Sequence, residues 1–127
     1  MKKTISLLIM IFLLLGVSSC YSSKFSATLL VTTNTSKHAS ASYYSMSGKL
    51  VFNLKSNAGN KLVYSGSVEE GRVKVYYDND GTLKDLFELN EWQSFEGSLD
   101  ELSDGKLYII IETDGKTTNG NFEFTLE

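Results

Sequence analysis

Four groups of residues in this chain have the types and spacing to do chemistry. Asp78-Asn79-Asp80-Gly81, with Asp85 close behind, gathers carboxylates around a sharp glycine turn, which is what a hard, oxygen-seeking cation such as calcium requires. An EF-hand register is excluded, because placing Gly81 sixth in the loop puts Tyr76 first and Phe87 last, where carboxylates are needed. The same residues suit a hairpin turn on backbone grounds alone, so a turn and a calcium site both stay open. His38, the single histidine, is a candidate general base, with an exposed histidine in a polar stretch as the competing reading. Glu69 or Glu70 paired with Asp100 or Glu101 would serve glycoside hydrolysis, which needs two carboxyl groups at a set separation. Tyr76 and Tyr77 are adjacent in an alternating segment and must point to opposite faces. One of them, together with Trp92, is therefore a candidate ring for stacking on a sugar or packing on a partner, while burial of Trp92 beside Phe95 is the competing expectation.

The rest of the composition narrows the classes. The chain has 127 residues, 42% hydrophobic and 21% charged, with no proline and one cysteine, which fits one ordinary globular domain. A single cysteine excludes an intrachain disulfide framework and any zinc site with two thiolates, and a single histidine excludes an HExxH centre.

Met1-Lys2-Lys3-Thr4 is a short basic start, Ile5 to Gly16 is an uncharged apolar run, and Val17-Ser18-Ser19-Cys20 follows. These are the three regions of a signal peptide, and the apolar run is shorter than the roughly 20 residues needed to span a bilayer. Val17-Ser18-Ser19-Cys20 resembles the lipobox of bacterial lipoproteins, a branched aliphatic residue and two small ones before cysteine. That resemblance implies removal of residues 1–19, a thioether from Cys20 to diacylglycerol, and further acylation such as palmitate. Each buried methylene of such a lipid contributes about 0.8 kcal/mol, so several chains anchor stably. Residues 20–24 would then be a tether and 25–127 the domain. Tyr21 stands where aspartate would signal inner-membrane retention, so the expected address is the outer membrane of a two-membrane host, or otherwise the outer face of the cell membrane.

Removal of Lys2 and Lys3 leaves ten basic residues against fifteen acids, a net −5 that excludes nucleic-acid binding driven by global basic charge. The charge is unevenly spread. Residues 20–77 carry seven bases and two acids, and residues 78–127 three bases and thirteen acids. Strand-to-strand complementarity within the fold and a dipolar docking surface both account for this.

The elements that must position these groups read as strands. Phe25, Ala27, Leu29 and Val31 alternate with Ser26, Thr28, Leu30 and Thr32, and residues 32–42 form a polar stretch expected as a long loop or poorly buried edge. Tyr44, Met46, Leu50, Phe52 and Leu54 make one apolar face. Leu62 begins another strand after the Ser56 to Asn60 turn, and Val73, Val75 and Tyr77 face one side of the next. Leu83, Phe87 and Leu89 suit a strand while Leu83, Leu86, Phe87 and Asn90 suit two helical turns, with the strand favoured by context, and Ser98-Leu99-Asp100-Glu101 has capping-box spacing for a single helical turn. Residues 106–113 suit a strand buried on both faces, Asp114-Gly115 a turn, and Phe122, Phe124 and Leu126 a last strand. Seven or eight short strands with at most one helical turn predict an all-β, antiparallel, jelly-roll-like β-sandwich.

Asn57-Ala58-Gly59-Asn60, Asp80-Gly81-Thr82-Leu83, Asp104-Gly105-Lys106-Leu107-Tyr108 and Gly120-Asn121-Phe122 follow one another in an order that resembles the bacterial pre-peptidase C-terminal domain and related secreted jelly rolls. The resemblance spans about residues 46–127 and implies a non-catalytic binding module. The expected function is thus a lipid-anchored envelope domain that binds an envelope protein or a glycan, with a small hydrolase using paired acids or a purely structural lipoprotein as alternatives. No cofactor beyond the covalent lipid is expected, apart from the calcium option. Replacing the anchor residue, Cys20→Ala, should move the protein from the membrane fraction to the soluble one; retention on membranes would contradict the lipidation reading.

Overall fold

The computed structural model describes residues 21–127, so the signal-like segment and Cys20 lie outside the described residues. Eight strands run through these residues: β1 (Lys24–Thr28), β2 (Val31–Asn34), β3 (His38–Ser56), β4 (Leu62–Val68), β5 (Glu70–Asp78), β6 (Lys84–Leu89), β7 (Gln93–Leu99) and β8 (Gly105–Leu126). Every pairing is antiparallel, and the described residues contain no helix.

The strands form one hydrogen-bonded sheet, and the two longest carry it over into two leaves. The first part of β3, from His38 to Met46, pairs with Thr125 back to Thr117 of β8, whereas Lys49 to Ser56 pairs with Glu112 back to Gly105. β2 flanks the first part of β3, and β4 with β7 beyond it flanks the second part of β8. This front leaf has the order β2-β3-β8-β4-β7. β1 flanks β3 across the fold-over, from Ser45 to Lys49, and on the back leaf β5 with β6 beyond it flanks the first part of β8. Rings meet between the leaves: Phe52 of the back lies 6.5 Å from Phe124 of the front, and Phe87 of the back stacks on Tyr64 at 5.3 Å. Alternation in each strand supplies that interior, with Leu62, Phe124, Leu107, Ile109, Ile111, Val73 and Val75 essentially sealed from solvent.

The fold-over explains where the sequence pattern misleads. Ala39, Ala41 and Tyr43 point inward in the front leaf, but Met46, Leu50, Phe52 and Leu54 do so beyond it, so the buried set changes from odd to even positions within β3. Tyr44, expected in the apolar face, is exposed, and Tyr43 takes the interior position. The register shifts between Met46 and Lys49, where Gly48 holds φ at +126° and a Cβ would come within 2.3 Å of the Lys24 carbonyl oxygen. Only glycine combines that torsion with that close approach. The buried Tyr43 hydroxyl donates to Thr117 Oγ1 at 2.7 Å, and Thr117 in turn donates to the Met46 carbonyl at 3.1 Å, so the crossing carries its own satisfied polar link.

Other expectations are corrected in the same terms. Asp114-Gly115 does not reverse the chain; Gly115 bends β8, which runs on to Leu126. Of the two readings of the polar stretch 32–42, the loop gives way to the edge: β2 is an exposed edge strand in a hairpin with the start of β3, where Ala39 and Ala41 are buried by their smallness. Ser98 to Glu101 makes no helical turn: β7 extends to Leu99, and Glu101 takes a positive φ of 59°. Residues 24–34 are strand, with one register on both sides of a break at Leu29-Leu30, since Thr28 opposes Ser45 and Val31 opposes Ser42. They form an outer edge, however, so Phe25, Leu29 and Val31 stay exposed.

Gly48→Ala should lower stability by about 2 kcal/mol or more, since strained φ and overpacking each cost roughly 1–3 kcal/mol. Gly81→Ala, at φ +96° but with open space at its Cβ, should cost only about 1 kcal/mol. Urea denaturation of the two variants checks the ordering, and equal costs would contradict the close approach at Gly48.

Candidate functional site

The inward positions of the front leaf are filled with apolar side chains, which leaves its alternate positions facing outward. Register aligns these into rows across five strands. Val31, Ser42, Asn121, Ser67 and Ser94 stand opposite one another in turn, and beside them run Thr33, Ser40, Glu123, Ser65 and Glu96. A third row brings together His38, Thr125, Val63 and Ser98. Small hydroxyl side chains at the centre leave a shallow hollow of about 760 Å³ over the first two rows. A second hollow of about 390 Å³ shares Ser65, Glu96 and Glu123 and reaches Lys61. A third, of about 330 Å³, shares Ser67, Ser94 and Asn121 and ends at Trp92. Together they make one track along the leaf.

Trp92 closes that track from the turn between β6 and β7. Its side chain is 73% exposed, and its backbone takes a positive φ of 59°. Glu69 holds the turn: its carbonyl accepts from Trp92 N at 2.8 Å, and its carboxylate accepts from Asn119 Nδ2 at 2.6 Å. An exposed tryptophan in a disfavoured torsion, braced from beneath, is a displayed side chain. The competing expectation of burial beside Phe95 fails. Phe95 turns inward on Tyr64 and Phe87 at 6.1 and 5.6 Å, whereas Trp92 precedes β7 and lies outside that cluster.

The other sequence candidates are dispersed. Tyr76 is on the outer side of the back leaf under the Lys74 ammonium, 5.2 Å from its ring centroid, and Tyr77 packs against the core. Asp78 is buried and accepts from the Tyr21 hydroxyl at 2.5 Å and from Gly81 N at 2.7 Å. Asp80 accepts from Thr82 N at 3.1 Å and from Lys84 Nζ at 3.3 Å, and these two bonds hold its carboxyl below the usual range. Asp85 pairs with Lys74 at 3.7 Å. The three aspartates are thus engaged separately, and among the described residues no three acidic, histidine or cysteine side chains converge. Glu69 and Glu70 lie at the Val68 end of β4, whereas Asp100 and Glu101 follow Leu99, which opposes Leu62 at the other end. Seven strand residues separate these carboxylates by roughly 20 Å, beyond the reach of either glycosidase geometry. His38 Nδ1 lies 3.0 Å from Thr125 Oγ1, at the rim of the third row.

The sequence singled out Trp92 as a candidate ring but not the serine rows beside it. Ser40, Ser42, Ser65 and Ser67 alternate with small or apolar neighbours, which marks strand periodicity, but only the pairing of distant strands shows that they share a surface.

On the back leaf the charge asymmetry of the two chain halves resolves into complementarity. Lys49, Glu112, Lys74 and Glu88 form one cross-strand row of alternating sign, and Arg72 opposes Asp114.

No known protein-family profile matches the chain, and no curated protein does. Among solved structures, TmCBM61 in complex with β-1,4-galactotriose shares the fold at a TM-score of 0.51, with 14% identity over 88% of this chain and 92% of that one. Looser likenesses include CBM51-2 of Clostridium perfringens ZmpB, at 0.49 and 10% identity over 87% of this chain and 31% of that one. The pre-peptidase C-terminal domain of Bacillus anthracis collagenase stands at 0.45 and 10%, over 83% and 89%.

The Asp78 hydrogen bond, with burial second, pushes the Tyr21 phenol from 10.0 up to about 12. A group raised on folding stabilises fully below its unfolded value, so this contribution should be whole to about pH 10 and fade as pH climbs through about 12. The urea midpoint of the parent protein relative to Tyr21→Phe should follow that course, and a constant difference across the window would contradict the bond.

Proposed function

We propose that this protein is an exported, lipid-anchored, non-catalytic domain that binds a neutral glycan chain along the outer face of its front leaf. The observation that carries the reading is the continuous polar track ending at an exposed Trp92. Serine hydroxyls donate and accept, and Asn121 does both, which matches the mixed hydrogen-bonding surface of a sugar hydroxyl array. The flat indole offers an apolar face to the C–H side of a sugar ring. Glu96 and Glu123 stand two strands apart in one row, about 10 Å between backbones, on either side of Ser65. They accept from sugar hydroxyls and repel uronates and phosphorylated chains, so the expected ligand is uncharged. The fold shared with TmCBM61, solved with a galactotriose, supports the same reading. Anchoring rests on the lipobox and Cys20, with the outer membrane as the address in a two-membrane host and the outer face of the cell membrane otherwise.

The domain from Tyr21 onward, presented to a panel of neutral and acidic oligosaccharides, should retain neutral ones only. Trp92→Ala should weaken that binding about tenfold, the loss of roughly 1.4 kcal/mol expected for one stacked ring. Tyr76→Ala, on the opposite leaf, should leave it unchanged. Calorimetric titration measures both, and retention of full affinity by Trp92→Ala would contradict the proposed face.

A further inference from the structure

The start of the described chain and the front-leaf track lie on opposite sides of the sandwich. Tyr21 donates its hydroxyl to Asp78 Oδ2 at 2.5 Å, and its ring meets Tyr108 edge-on at a centroid separation of 5.0 Å. Both partners belong to the back leaf, where Asp78 opposes Tyr108 across β5 and β8. Both project outward, because their chain neighbours Tyr77, Leu107 and Ile109 pack inward on the core. Two residues on, the Ser23 hydroxyl accepts from Val51 N at 2.8 Å, and Lys24 then opens β1 opposite Lys49. Tyr21 to Lys24, within the expected tether, thus contact the back leaf.

We infer that the outer face of the back leaf rests against the lipid bilayer, with the glycan-binding track turned away from it. The inference depends on lipidation of Cys20, proposed above. Cys20 is bonded directly to Tyr21, and consecutive Cα atoms lie about 3.8 Å apart. A lipid on Cys20 thus enters the membrane within about one side-chain length of the face that Tyr21 is pinned to, and the domain has no slack in which to turn over. The chemistry of that face suits a headgroup layer. Its cross-strand row alternates in sign from Lys49 through Glu112 and Lys74 to Glu88, so it carries no block of negative charge to be repelled. Lys24 beside Lys49 sets two ammonium groups next to the anchor, where anionic headgroups attract them. The track lies a full sandwich away, beyond two leaves packed about 10 Å apart.

The test uses the lipidated protein reconstituted into vesicles of phosphatidylcholine and phosphatidylglycerol that carry a fluorescent headgroup acceptor. Thioether formation blocks Cys20, so an introduced cysteine is the one free thiol for a donor dye. Energy transfer from Glu88→Cys, exposed on the back leaf, should exceed that from Ser98→Cys, exposed on the front leaf, at least about twofold. Adding Tyr21→Phe, which keeps the ring and removes the hydrogen bond, should narrow the difference between the two values. Equal transfer from both positions in the vesicle-bound parent protein would overturn the orientation while leaving the anchor intact. Failure of the protein to float with vesicles at all would overturn the anchor and the orientation with it.

Discussion

Everything in this fold depends on two central strands crossing from one leaf to the other without interruption. β3 and β8 run 19 and 22 residues, and each lends its two parts to different leaves. Within β3 the inward set changes from odd to even positions between Tyr43 and Met46, and the register with β8 shifts between Met46 and Lys49, as an irregular residue in a strand allows. Gly48 makes the bend sterically possible, and a hydrogen-bonded link runs from the buried Tyr43 hydroxyl through Thr117 to the Met46 carbonyl. With the crossing fixed, the leaves are held face to face by aromatic contacts such as Tyr64 on Phe87, and hydrophobic burial closes the sandwich.

Apart from the turn that carries Trp92, the candidate site follows from that constraint. Because apolar residues take the inward positions of the front leaf, what remains outward is a lattice whose content the sequence is free to choose. It holds serines, Asn121 and two glutamates, with Trp92 at the end where the strands cross over. A rigid sheet presents these groups in fixed rows, so a ligand meets them without an ordering cost in the backbone. The back leaf uses the same geometry for paired charges, which leaves the two outer faces chemically distinct: one neutralised within itself, the other a hydroxyl-rich surface with hydrogen-bonding capacity to spare.

Strand content and the antiparallel sandwich were legible from alternation and turn residues, whereas Leu83 to Leu89 fitted a strand or two helical turns until its neighbours decided for the strand. Long-range pairing was not. Nothing local distinguishes Asp114-Gly115, where β8 bends and continues, from a turn that reverses the chain, because both need glycine at positive φ. Ala39 and Ala41 lack the bulk that marks a buried face, so a strand with an alanine interior reads as a loop. Glu69 and Asp100 could be named as paired acids from residue type alone, and only the β4–β7 register shows them at opposite ends of a strand. Trp92 was legible because a lone tryptophan is conspicuous; the serines around the track are commonplace residues whose meaning lies in their alignment across strands.

The most direct test is to map the ligand face by two-dimensional NMR, titrating the isotope-labelled domain with a neutral oligosaccharide that it retains. The account predicts shifts in the backbone amides of Ser40, Ser42, Ser65, Ser67, Ser94 and Asn121 and in the Trp92 indole, with the back leaf silent. Shifts confined to back-leaf residues such as Lys74, Tyr76 and Glu112 would contradict it.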